Sequence, residues 1–422
     1  MFISRNRVVA AATAVAALLV SGCSEKLESA GNCPALCPNQ GIDIVTATLS
    51  PVVLDTALSD VQPRGTEIAM LLATGSGIDV RGVIRFDTLD KRFARGNAAA
   101  DSGFAIVQVD SAFLRLRIDT TSFVAPLAVT VDAFDVDSLD DPTDAQVSTL
   151  FRPDRLLGSI TVDSLVDSLR IPLDTAKLRE RIQTAGRVRV GLRASAATPV
   201  QLRVLTLESS GSARLAYRVA QDTVVRTISN VPQSLTPRGD ANASELADYS
   251  IIVSGTSAGS SGDIVVGGLP GRRTYLRFAL PAAIVDSSTV TSAFLELTQR
   301  PAPGPFDALD SLQIEPTVVI AGAAVTDPGR ASVLILPTGS FLLDSLRLAP
   351  GDTGLRRIDV TRVVRAWKSQ NPLDVPHALV LRSVFEGITP LEVRFFSSEA
   401  ADLLLRPRLV VSYIPQVGFG LP

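Results

Sequence analysis

The hexapeptide Ser111–Leu116, SAFLRL, recurs at Ser292–Leu297 as SAFLEL. In the first copy it runs on through Leu114-Arg115-Leu116-Arg117-Ile118, with apolar and charged residues in alternation. Successive side chains of an extended chain point to opposite faces. Period two with one apolar face therefore specifies a half-buried antiparallel strand. Val200-Gln201-Leu202-Arg203-Val204 and Leu391-Glu392-Val393-Arg394-Phe395 obey the same rule. Clusters of Gly, Pro, Asp and Ser separate such runs, as in ATGSG, DDPTD, GTSAGSSGD and RPAPGP. Many short strands punctuated in this way predict an all-β fold, an antiparallel β-sandwich or jelly roll.

The hexapeptide belongs to a longer repeat. RGVIRF (Arg81 to Phe86) answers RTYLRF (Arg273 to Phe278), and RIPLDT (Arg170 to Thr175) answers RIDVTR (Arg357 to Arg362). VGLRAS (Val190 to Ser195) answers LVLRSV (Leu379 to Val384), and TPVQLRVLTLES (Thr198 to Ser209) answers TPLEVRFFSSEA (Thr389 to Ala400). Towards the start, Asp55-Thr56 answers Asp222-Thr223, and Pro63-Arg64-Gly65 answers Pro237-Arg238-Gly239. A constant order with shifting offsets means one unit copied, with loops that changed length while strand registers did not. The copies are placed at 43–219 and 220–416, with 417–422 as a tail. Each carries one short helical segment. Asp359-Val360-Thr361 caps a helix with Val363, Val364 and Trp367 on one face, and its counterpart begins at Asp174 and carries Leu178 and Ile182.

The chain has 422 residues, 46% of them apolar, which is ample for two cores. Its net charge of −3 and interspersed Arg and Asp argue against a nucleic-acid partner. One His, one Trp and three Cys leave few ligands for a zinc site.

The first 23 residues, MFISRNRVVAAATAVAALLVSGC, join Arg5 and Arg7 to a 13-residue apolar run, Val8 to Val20. That run is too short to span a bilayer and has the proportions of a secretory signal. Its end, Val20-Ser21-Gly22-Cys23, resembles the lipobox of bacterial lipoproteins. The resemblance implies a signal peptide over 1–22 and an acylated Cys23 holding the chain to a membrane. Ser24, rather than Asp, leans towards the outer membrane, facing either the periplasm or the cell exterior. Two or three acyl chains anchor firmly where one holds weakly. Residues 23–42 form a polar tether. Cys33 and Cys37 within it read first as a small local disulfide, which an exported compartment permits; free or intermolecular thiols are the alternative, and two thiols are too few for a metal.

The second copy carries TYLRF, SAFLEL, IDVTRVVRAW, HALVLRS, VRFFSSEA and RPRLVVSY in order. Over residues 270–414 this is similar to the DNRLRE domain of bacterial and archaeal surface proteins, with Asp359-Val360-Thr361, Trp367, Ser398-Glu399-Ala400 and Pro407 to Tyr413 carrying the match. The resemblance implies a β-sandwich like those of carbohydrate-binding modules. The first copy matches less well, having no Trp in its helix.

Chemistry-bearing residues are sparse. His377 opens a strand, and no nucleophile elbow accompanies it. Trp367 falls on the apolar side of its helix and is expected in the core, whereas Tyr275, alternating with Leu276, is expected to face out. Asp135, Asp137, Asp140 and Asp141 gather in VDAFDVDSLDDPTD, a weak Ca²⁺ candidate without EF-hand spacing. Glu208 with Glu399, Arg203 with Arg394 and Arg85 with Arg277 recur at equivalent places, suggesting Arg–Glu bonds that pin strands. The expectation is a non-enzymatic, lipid-anchored envelope protein whose modules bind glycan or another envelope component, or act as a spacer. Assembly with a protein partner is the alternative, and a polysaccharide-degrading enzyme comes third.

Overall fold

The alternation at Leu114–Ile118 does form a strand, and its neighbours define the whole architecture. In the computed structural model the first half contains β1 (Val45–Leu49), β2 (Pro51–Ser59), β3 (Ala69–Gly75), β4 (Ile78–Phe86), β5 (Arg92–Phe93), β6 (Phe104–Ala105), β7 (Val109–Arg117), β8 (Val129–Asp135), α1 (Asp144–Ser148), β9 (Leu156–Val162), β10 (Ser168–Pro172), α2 (Thr175–Thr184), β11 (Val188–Ser195), β12 (Val200–Leu205) and β13 (Arg214–Val219). The second half contains β14 (Val225–Ser229), β15 (Asp248–Ser254), β16 (Asp263–Gly267), β17 (Arg272–Phe278), α3 (Ala282–Val285), β18 (Ser288–Arg300), β19 (Leu312–Val319), β20 (Leu346–Leu348), β21 (Gly354–Asp359), α4 (Thr361–Ser369), β22 (Ala378–Ser383), β23 (Glu392–Phe396) and β24 (Arg408–Pro415). The structure describes residues 44–59, 65, 67–94, 103–120, 128–138, 143–164, 167–209, 211–230, 246–256, 263–303, 310–319, 343–369 and 378–416. They belong to one compact unit, Ile44–Pro422.

All of the strand pairings between these elements are antiparallel. In the first half the order β12-β3-β4-β11-β8-β9 makes one layer and β10-β7-β13-β14 the other. Leu72, Ile84, Val131, Val190 and Leu202 of the first layer meet Leu114, Leu116, Ile171 and Leu215 of the second in one buried cluster. The second half has its own core around Leu276, Leu295, Leu381, Phe395 and Trp367. Its strands bond continuously because the long β18 pairs β24 and β21, then reaches β23 at Gln299 and Arg300. Burial of these alternating apolar faces, at about 25 cal/mol per Å² of apolar area, is the main force holding each sandwich.

Register confirms most of the repeat. Leu114 faces Leu215 as Leu295 faces Leu409, and Arg170 faces Arg115 as Arg357 faces Glu296. Val190 faces Ile84 as Leu379 faces Leu276. Each half has a second, shorter helix beyond the one expected, α1 or α3, and the two expected helices, α2 and α4, correspond. Asp174 accepts bonds from the Ala176 and Lys177 N–H groups at 2.8 and 3.0 Å and starts α2, burying Leu178 and Ile182. Asp359 accepts from the Thr361 N–H at 2.8 Å at the start of α4, which buries Val363, Val364 and Trp367. Such side-chain acceptors satisfy N–H groups that have no partner within the helix.

A division at residues 219/220 does not describe where the strands go. β1 and β2 pair with β24 and β17 of the second half. Reciprocally, β14 and β15 pair with β13 and β4 of the first. The two halves have thus exchanged equivalent pairs of strands. Between them, Leu269 packs on Leu71, Ala73 and Val80, and Ser250 Oγ accepts from the Leu71 N–H at 3.0 Å. The exchange also corrects one sequence match. Asp55 lies opposite Leu276 and Asp248 lies opposite Ile84, so the counterpart of Asp55 is Asp248. Asp222 instead sits in the turn before β14, bonded to Arg226 at 2.8 Å.

A protease site inserted between Asn230 and Leu246 tests the exchange. The cleaved halves are expected to co-elute on size exclusion in native buffer and to part only in denaturant; separation in native buffer would contradict the pairing.

Candidate functional site

Among the described residues several charged side chains are buried, and most of them are tied to an opposite charge; Arg189 and Asp248 are not. Arg273 grips Glu386 with two nitrogens, at 2.9 and 2.7 Å, with both side chains 5% exposed. Glu392 takes Arg272 at 3.0 Å and Arg394 at 2.7 Å, and Asp263 joins Arg300 at 2.6 Å to Arg394 at 3.4 Å. Removing one member of such a buried pair leaves the other uncompensated, which costs about 3–5 kcal/mol. The strand-pinning arginines are therefore present, with different acids from those expected. Arg394 uses Glu392 and Asp263, not Glu399. Arg203 uses Asp119 at 3.4 Å and lies 5.0 Å from the Phe385 ring, so it also bridges the halves. Arg85 bonds Asp87 at 3.0 Å.

The two described carboxylates of the candidate Ca²⁺ set, Asp135 and Asp137, are paired with arginines. Asp135 accepts from Arg181 at 2.7 Å with Arg155 at 3.5 Å, and Asp137 lies 3.1 Å from Arg187. Both carboxylates face guanidinium groups, whose charge repels Ca²⁺. Among the described residues no group of three or more His, Cys, Asp or Glu is placed to hold a metal. Asp140, Asp141 and His377, like Cys23, Cys33 and Cys37, lie outside the described residues.

Trp367 is in the core as expected, 2% exposed. Tyr275 is not outward; it is fully buried, as are Tyr217 and Tyr249. Strand β17 is covered on both faces, so alternation with Leu276 does not place Tyr275 in solvent. Burial pushes the Tyr275 and Tyr217 hydroxyls up from their ordinary range. A groove of about 530 Å³ runs between α2 and residues Ala105–Val107. Its polar ends are bound to backbone. Lys177 donates to the Asp154 and Leu156 carbonyls, Arg179 to Val107 and Gln183 to Ile106. Glu180 completes the charged lining, and these contacts tie α2 to the loop before β9 and to the segment Ala105–Val107.

Among the described residues one buried acid is paired with no cation. Asp248, on exchanged strand β15, is 2% exposed and accepts from the Leu207 N–H at 3.0 Å and Asn230 Nδ2 at 2.6 Å. Burial and the neighbouring Glu208 and Glu67 push its carboxyl up to about 7, against the pull of those two hydrogen bonds. Sequence reading missed this residue, because an Asp before an apolar strand carries no mark of its surroundings.

No family model and no curated protein matches the chain. Among solved structures it is similar to the Gx strain of infectious bursal disease virus, at 12% identity over 90% of this chain and 79% of that one, with a TM-score of 0.15. The Gt strain follows at 10% identity over 91% and 78%, with a TM-score of 0.14. Overlap this poor carries no inference about fold or function.

Asp248 makes stability depend on pH. With the folded pKa above the unfolded one, its contribution is complete below about pH 4 and is lost as pH rises through about 7. The loss is on the order of 4 kcal/mol between the two limits. Asp248→Asn keeps a neutral acceptor for Leu207, and Asn230 has an amide oxygen without a partner among the described residues that can turn to meet it. The variant is expected to outlast the wild type in denaturant at pH 8.5 and to match it near pH 4; equal curves at pH 8.5 would refute this.

Proposed function

We propose that this chain is a non-enzymatic, lipid-anchored protein of the bacterial outer membrane. Acyl groups on Cys23 hold it, residues 23–42 are its tether, and the two interlocked sandwiches engage an envelope component, glycan foremost, beyond the bilayer. The single observation that carries the non-catalytic reading is the state of the interior ionisable groups. Glu386, Glu392, Asp263, Asp135 and Asp137 are each bound to arginine, in pairs that join strands or fix loops. An acid or base that moves protons has to be free to change its charge in a cleft open to substrate. The lipobox of Val20-Ser21-Gly22-Cys23 supports the anchor, and the likeness of residues 270–414 to the DNRLRE domain supports a surface role. With Trp367, Tyr217, Tyr249 and Tyr275 buried, glycan would be held by polar and charged groups rather than by aromatic stacking.

A protein partner is the second reading. Leu403 and Leu404 stand 68% and 69% exposed in a short turn capped by Asp402, an arrangement suited to an apolar contact.

Expression in a bacterial host fed radiolabelled palmitate tests the anchor. Label and membrane-fraction partition are expected for the wild type and lost in Cys23→Ala. An unlabelled wild-type protein would overturn the reading.

A further inference from the structure

The one-letter difference between SAFLRL and SAFLEL falls at Arg115, exposed on its sheet face, and at Glu296, which is buried between its neighbours. In the second half Glu296 stands between two arginines on flanking strands, with Arg357 at 3.1 Å and Arg408 at 2.7 Å. The row Arg357–Glu296–Arg408 is thus closed by its own carboxylate. In the first half the same three register positions are Arg170, Arg115 and Arg214. Three arginines face one another across β10, β7 and β13, about 4.8 Å apart at the backbone. Like charges directly opposite in a sheet are destabilising. All three are exposed, as are Arg117 and Arg218 on the same sheet. Arg170 lies 3.7 Å over the Phe113 ring, as Arg357 lies 4.2 Å over Phe294, and Arg218 is 3.5 Å from Asp110. Arg115, Arg117 and Arg214 have no ion-pair partner among the described residues.

We propose that the outward face of the sheet β10-β7-β13-β14 is a docking surface for an acidic polysaccharide, whose anionic groups supply along the Arg170–Arg115–Arg214 row the charge that Glu296 supplies in the other half. The proposal rests on the envelope reading above and names its ligand class. Guanidinium forks bind carboxylate, sulfate or phosphate with two parallel hydrogen bonds. Ser168 beside Arg117 and Ser229 beside Arg214 add exposed hydroxyls suited to sugar hydroxyls. The ring of Phe113 is covered by Arg170, so the face lacks the open aromatic platform that single-stranded nucleic acid needs. The next outward row is Pro172–Phe113–Ala216–Thr227, with Phe113 beneath Arg170 and Ala216 buried, and Val225 is 49% exposed opposite Arg218; Pro172 and Val225 offer a smaller apolar area than a membrane-binding face presents. On a chain of net charge −3 this is a local basic field, effective at short range in salt.

The full chain in detergent, run in affinity electrophoresis through gels containing polygalacturonate, provides the test, with neutral dextran as the reference. The wild type is expected to be retarded by polygalacturonate only, and Arg115→Glu to lose at least tenfold in affinity while melting no lower than the wild type, since it copies the second half's own row. Should that variant fail to fold, Arg214→Gln serves instead, with a smaller expected loss. Equal retardation of wild type and variant, no retardation of either, or binding only to phosphatidylglycerol vesicles or single-stranded DNA would each overturn the proposal. Failure here leaves the palmitate result standing, and an unlipidated chain would remove the envelope reading whatever the sheet binds.

Discussion

The structure depends on a reciprocal exchange of strands. Each half lacks a neighbour for its hairpin strand, β4 or β17, and receives one from the other half. Backbone N–H and C=O groups have to be bonded somewhere when buried. An uncovered β4 would leave a row of them open beside Val83 and Val80, both fully buried. The exchange answers that need for both halves at once. It explains why two sandwiches with separate cores behave geometrically as one compact unit. Charged bridges reinforce the seam, as where Arg203 of one half meets the Phe385 ring of the other.

Duplication fixed the backbone and left the charges free to diverge. Register-equivalent pairs such as Leu114–Leu215 and Leu295–Leu409 keep the cores alike. Outward positions have gone separate ways, from a self-neutralised triad to an all-arginine row. The Phe beneath the first arginine is retained in both halves, so the guanidinium is held in the same place while its surroundings changed. The interior differs too. Glu392 and Arg394 form a buried network in the second half, where the first has Gln201 and Arg203 at the same register.

Local rules made much of the fold legible in the sequence. Alternation found β7, β12 and β23, and capping acids found both longer helices, because each depends on residues a few positions apart. The exchange was not legible. A strand such as β15 has the same period whichever half it joins, and only the three-dimensional register decides between Asp222 and Asp248 as the counterpart of Asp55. Tyr275 was misread for a related reason, since the alternation test assumes one wet face and β17 has none. The arginine partners of Asp135 and Asp137 were not legible either, because Arg155, Arg181 and Arg187 lie 18–50 positions further on. The arginine row was visible as a single letter, yet its meaning needed the strands on either side.

The pairing of β1 with β24 has a consequence for how the chain matures. Thr46 and Ser412 join their hydroxyls at 3.1 Å across 366 positions. The earliest described strand therefore waits for a partner at the far end of the described chain. Contacts so distant along the chain are slow to form, because loop-closure entropy comes before any reward. Until β24 is in place, β1 has no strand to bond, so the first described strand is among the last to be seated.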